Sequence, residues 1–159
     1  MCFWGTYPQP HLNHSLSANS LMLIGRCNMN DDRFSFRAEE FENEASFRWP
    51  EQFAESQRRI SSLSKSESKK LQELGDWVNE NLVRFQIAGY EPHSDEVQVV
   101  VEQHFRWVSA FWDPDKEAYL VLSEMYVHDK RYRAFYERIN PGLSEYLSSA
   151  MKTYANSKL

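Results

Sequence analysis

Glycine, proline and cysteine are all scarce here, at five, six and two residues of 159, and each scarcity removes a class of protein. Glycines this few and this scattered cannot build a phosphate-cradling loop. The only cysteines, Cys2 and Cys27, give no disulfide framework and point to a reducing compartment, with the cytoplasm as the expected location. Long apolar runs are missing too. The longest near the N-terminus, Leu21–Gly25, falls far short of the roughly 20 residues a membrane span needs, and no basic segment precedes it as in an export signal. Positive charge is also short: the net charge of −5 and pI near 5.6 argue against direct contact with nucleic acid, which requires a concentrated basic face.

Catalytic signatures are equally thin. There is no Gly-x-Ser-x-Gly elbow, and both thiols sit in the atypical N-terminal segment, so nucleophilic catalysis is not expected. Glu102, Asp113, Asp115, Glu117, His128 and Asp129 are potential metal ligands, but no helical His pair accompanies them. Asp113 and Asp115 are better read as helix-start residues favoured by the helix dipole. The expectation is a chain with no catalytic residues, no metal and no cofactor.

What is present is helical periodicity. Residues Met1–Arg33 are rich in Asn, Ser and Pro, contain no Lys and show no sustained period, so they read as a poorly ordered segment or as sequence upstream of the true start. From Phe34 to Leu159 the texture is that of one domain, long enough to enclose a core with a small cavity. An acidic helix is expected over about Ala38–Phe47, broken at Trp49-Pro50, and another over about Glu51–Ser62. SKSE supplies a capping box from Ser64 to Glu67, and Leu71, Leu74, Val78, Leu82 and Phe85 continue a stripe that Gly89 and Pro92 end; the spacing predicts a helix over Lys65–Ala88. Ser94 is placed to cap a second long helix running to Asp113-Pro114 through Val97, Val101, His104, Val108 and Phe111. Asp113 is the expected cap of the next helix, with Pro114 at its first position and an end near Val127. Helices over about Lys130–Arg138 and Leu143–Tyr154 flank the break at Asn140–Gly142. Strand alternation is confined to Gln98–Val101 and there is no solenoid period, so the class is all-α.

Between His104 and Ile139 stand Phe105, Trp107, Phe111, Trp112, Tyr119, Tyr126, Tyr132, Phe135 and Tyr136. An aromatic stripe at helical spacing is ordinarily core. Yet so many phenols and indoles each need a polar partner when buried, and an apolar cleft with a few polar points is the other arrangement that suits them. His104 lies on the same stripe, where a lone histidine is ordinarily a hydrogen-bonded core residue, and use of it as an acid–base catalyst would need a partner within reach. Arg58-Arg59 is a solvated pair, or a rim that holds an acidic or carbonyl-rich ligand.

Several separated segments resemble one family in order: FRWPEQFAESQRR (Phe47–Arg59), the capped helix, EQHFRWVSAFW (Glu102–Trp112), EMYVHDKRYRAFYE (Glu124–Glu137) and PGLSEYLSSAM (Pro141–Met151). Over about Glu40–Ala155 the chain is similar to the TipAS family, the drug-recognition domains of MerR-type activators, which also occur as free-standing antibiotic-binding proteins. The resemblance implies an all-helical, globin-like fold. It also implies a cleft for large heteroaromatic natural products, thiopeptides or the oligo-aromatic albicidin, bound without catalysis. Trp107, Phe111, Trp112, Tyr119, Tyr126, Phe135, Tyr136 and His104 are then the candidate lining, Arg58 and Arg59 the candidate rim, and Phe34–Ser62 the lid. The thiopeptide-capturing members carry a cysteine in a segment resembling Phe111–Pro114; Pro114 stands there, so the expected binding is reversible. Neither the family's helix-turn-helix nor its coiled coil is found in Met1–Arg33. The chain is therefore expected to be a monomer without direct nucleic-acid binding, either free-standing or a piece of a regulator that a fused DNA-binding domain would dimerise.

Overall fold

The computed structural model describes residue 47 and residues 50–159. The expected N-terminal segment 1–33, and the helix expected over Ala38–Phe47 apart from Phe47 itself, lie outside the described residues. Among those described there are six complete helices and no strand: α1 Pro50–Ser62, α2 Lys65–Ile87, α3 Asp95–Ser109, α4 Lys116–His128, α5 Lys130–Ile139 and α6 Leu143–Lys158.

Local chemistry sets α2 at both ends. Ser64 Oγ accepts the Glu67 amide at 3.2 Å while the Glu67 carboxylate accepts the Ser64 amide at 2.8 Å, so two orphan N–H groups are satisfied reciprocally. At the other end Gly89 takes φ of +77°, and the Tyr90 and Gly89 amides return to the Phe85 and Gln86 carbonyls at 3.0 and 3.1 Å. This left-handed closure is cheap only for glycine.

The α3–α4 corner departs from expectation. α3 ends at Ser109, four residues before Asp113, because Ser109 Oγ bonds back to the Phe105 carbonyl at 2.8 Å and the Phe111 amide turns tightly onto Val108 O at 3.0 Å. Phe111 and Trp112 therefore lie in the corner rather than on the helix. Asp113 does not cap α4. Asp115 does, accepting from the Ala118 amide at 2.8 Å, and Pro114 is buried in the turn before it. Asp113 is taken by an ion pair described below. Ser94 occupies the cap position of α3 with extended backbone, but its hydroxyl makes no capping bond.

At the α5–α6 turn a carboxylate from the preceding helix supplies the cap. Glu137 accepts from the Gly142 amide at 2.8 Å and from Ser144 Oγ at 2.6 Å, and these bonds hold its carboxyl below the usual range. Gly142 itself sits at φ of +79°. α6 is the central helix: it packs on α2, α3, α4 and α5 and contributes Leu143, Leu147, Ala150, Met151 and Ala155 to the buried core. α1 packs closely against none of the other five along its length.

Candidate ligand-binding site

The aromatic residues of the stripe gather in one buried cluster. His104 stands at its centre, 2% exposed, with ring centroids of Trp107, Tyr119 and Tyr126 at 6.0, 5.9 and 5.9 Å. Trp107 meets Phe111 edge-on at 5.1 Å, Tyr126 meets Tyr136 at 4.8 Å, and Phe135 meets Tyr136 edge-on at 5.1 Å. Tyr132 stacks on Tyr126 at 5.6 Å. Seven of the eight stripe residues proposed from the sequence thus belong to one connected set, contributed by α3, the corner, α4 and α5. Trp112, 4% exposed, makes no ring contact among the described residues, and its indole N–H has no hydrogen-bond partner among them.

Directional bonds run through the cluster. Tyr119 Oη lies 2.8 Å from His104 Nδ1 and Tyr126 Oη 3.4 Å from Nε2, and the Tyr126 and Tyr136 hydroxyls bond one another. One proton arrangement satisfies the whole chain: Tyr119 donates to Nδ1, Nε2–H donates to Tyr126, and Tyr126 donates to Tyr136. Burial pushes His104 down to about 3 and raises Tyr119 and Tyr126 well above the ordinary phenol range. Near neutral pH all of them are uncharged and none exchanges a proton readily. Phe105, beside Tyr119 at 5.1 Å and Tyr154 at 5.6 Å, extends the set towards α6.

Against this cluster α2 supplies a glycine. A Cβ on Gly75 would stand 3.0 Å from Trp107 Nε1 and 3.3 Å from Cε2, so only hydrogen at that position admits the indole without displacement. Neither Gly75 nor its role was legible in the sequence, since a lone helical glycine carries no pattern of its own.

α1 reaches the corner through one arginine. Arg59 donates to the Ser109 carbonyl at 3.1 Å and to Asp113 at 2.6 Å, and also to Glu55 at 2.8 Å on its own helix. These acceptors raise the Arg59 pKa and lower that of Asp113. Ile60 packs on the core beside it. Arg58, in contrast, is exposed and among the described residues pairs with Glu55 alone, at 2.8 Å. The two arginines differ in role: Arg59 clamps α1 to the α3–α4 corner and Arg58 faces solvent. Among the described residues no group of three or more His, Cys, Asp or Glu side chains could hold a metal, and no helix is long and apolar enough to cross a membrane.

A buried aromatic hub and a helix tied to the adjoining corner by one arginine occur here in a chain that the comparisons place among small-molecule recognition domains. The profile of the TipAS antibiotic-recognition domain matches residues 41–154, and the chain belongs to that family. The HTH-type transcriptional regulator SkgA of Caulobacter vibrioides is 28% identical over 107 residues, 66% of this chain and 42% of that protein. The HTH-type transcriptional activator TipA of Streptomyces coelicolor is 25% identical over 119 residues, 73% and 47% respectively. The chain thus spans less than half the length of these relatives. Among solved structures, TipAS from Streptomyces lividans in complex with nosiheptide superposes with a TM-score of 0.69 at 25% identity, over 77% of this chain and 88% of that one. The all-helical, globin-like architecture read from the sequence is the one found.

Proposed function

We propose that this chain binds a bulky heteroaromatic antibiotic of the thiopeptide or albicidin kind, reversibly and without catalysis, for sensing or sequestration. The observation that carries the reading is family membership over residues 41–154, together with likeness to a domain solved with nosiheptide. Trp107, Phe111, Trp112, Tyr119, Tyr126, Phe135, Tyr136 and His104 form the floor and wall of the site, with Arg59 and Arg58 at its edge and α1 as part of the lid that closes over the ligand. The light attachment of α1 supports that motion. His104 supports the absence of catalysis, since its neighbours are phenols with raised pKa values and no carboxylate partners it among the described residues. Reversibility follows from sequence: the chain's two cysteines are Cys2 and Cys27, and Pro114 stands in the segment where capturing members carry a thiol. The cytoplasm is the proposed location and a monomer the proposed state of this chain alone.

Titration with nosiheptide is expected to quench tryptophan fluorescence at micromolar concentration or below, since stacked rings at roughly 0.5–1.5 kcal/mol each add to apolar burial. Intact mass after denaturation is expected to be unmodified. Absence of quenching across a panel of thiopeptides and albicidin would refute the reading, and a covalent adduct would refute its reversible mechanism. The matched part of the relatives lies within HTH-type regulators, which favours a second reading as the effector portion of a transcription regulator. Drug-dependent promoter binding by a longer product of the same reading frame would establish that reading.

A further inference from the structure

Two polar atoms at the junction of α1 and the corner are buried and have no partner among the described residues: Ser56 Oγ and Trp112 Nε1. Ser56 is fully buried, one turn before Arg59 and Ile60 and hence on the face α1 turns to the core. Trp112 directly precedes Asp113, the carboxylate that Arg59 grips. The two atoms therefore flank the same clamp. Several helical serines among the described residues discharge their hydroxyls on their own backbone, as Ser61 does on Gln57 O at 2.7 Å and Ser109 on Phe105 O at 2.8 Å. Ser56 does not. Trp112 likewise stands outside the ring network that holds every other aromatic residue of the candidate site. Other unpartnered buried atoms lie elsewhere: Ser94 Oγ and Gln98 Oε1 at the opposite end of α3, and Ser148 Oγ on α6.

An unpaired buried N–H or hydroxyl opposes folding, and an acceptor brought by a ligand would relieve that cost. We infer that Ser56 and Trp112 are the polar recognition points of the site, donating to acceptor atoms of the bound ligand. The indole N–H can only donate and a serine hydroxyl can donate, so the ligand class is one rich in acceptors close to a flat apolar body: ring nitrogens of azoles and carbonyls of amides joined to them. This rests on the proposed antibiotic binding and specifies its chemistry. It also gives the clamp a role, since Arg59 ties the helix that carries Ser56 to the turn that carries Trp112.

The test is calorimetric titration of the full chain with nosiheptide, comparing Ser56→Ala, Trp112→Phe and, as a control, Ser61→Ala. Each of the first two removes one donor, and affinity is expected to fall about three- to tenfold, the range for one lost hydrogen bond. Ser61→Ala is expected to bind like the unmutated chain. Without ligand, Ser56→Ala is expected to melt no lower than the unmutated chain, because an unsatisfied hydroxyl has been removed. Lower ligand affinity without lower stability is a combination that a purely structural serine would not give. Affinity kept within twofold by either variant overturns the assignment while leaving antibiotic binding intact. A lower melting temperature for ligand-free Ser56→Ala overturns it as well, since the hydroxyl would then be engaged in the fold. Failure of the unmutated chain to bind overturns the parent reading and this one with it.

Discussion

Acidification is expected to weaken this fold through His104, and the size of the effect follows from its burial. The unfolded imidazole titrates near its ordinary value of 6.5, whereas in the folded chain burial holds it down to about 3. Between those values the unfolded state carries a proton that the folded state refuses, so stability is fully present above pH 6.5 and is lost as pH falls towards 3. At 1.36 kcal/mol per unit, lowering the pH from 7 to 5 costs about 2 kcal/mol from this side chain. That is a large share of a typical domain's total stability. The window is useful because the carboxylates held low by their partners, Glu137 and Asp113 among them, lose their contributions only further down, below their ordinary values. Guanidinium unfolding at pH 7 and pH 5 is expected to show the drop, and His104→Gln, which has nothing to protonate, is expected to lose most of the pH dependence. In the unmutated chain the His104 ring proton resonances are expected to stay unshifted over the same range. A drop equal in both proteins, or a His104 resonance titrating near pH 6, would refute the reasoning.

Three further outcomes follow from particular contacts. Glu137→Ala removes the carboxylate from the start of α6 and is expected to cost about 1–2 kcal/mol of stability, measured at neutral pH by denaturant unfolding. Gly75→Ala improves helix propensity by about 1 kcal/mol but drives a methyl against Trp107, and overpacking of about 1–3 kcal/mol is expected to win. A net gain in stability would show slack around the indole. Arg59→Ala is expected to cost only about 1 kcal/mol globally, since Asp113 is 81% exposed and its side of the pair is screened. In amide exchange by mass spectrometry, however, Pro50–Ser62 is expected to lose protection several-fold while α3 to α6 keep theirs.

The parts of this fold legible from sequence are those set by neighbours along the chain. α2 was readable at both ends because Ser64, Glu67 and Gly89 act within one turn of themselves, and the end of α5 because the Asn140–Gly142 break does the same; the Asp129 cap at its start was not read. The corner was not. Whether Asp113 or Asp115 caps α4 depends on Arg59, 54 residues earlier, claiming the first of them. The aromatic residues of the candidate site were identifiable by type and spacing, yet their sorting was hidden: His104 bonds to phenols on α4 that no periodicity links to it. Gly75 and Ser56 carry their importance entirely in what lies across the interface, and a single glycine or serine in an amphipathic helix announces nothing.

The chain of bonds from Tyr119 through His104 to Tyr126 and Tyr136 has a consequence for how such a domain can change over generations. Each hydroxyl finds its partners within the series, so a lone Tyr→Phe step strands an imidazole nitrogen or a phenol in a dry interior, whereas replacing the whole series with apolar rings would strand nothing. Stepwise drift is therefore blocked at the centre, because every intermediate is worse than either end. α1 and the corner are matched at fewer points: Arg59 carries the polar contacts between them, while Arg58 faces solvent and Asp113 is largely exposed. Selection for a different drug would find its accessible substitutions there, so a lineage of these domains can exchange ligands by rewriting one helix and one turn while inheriting the same interior.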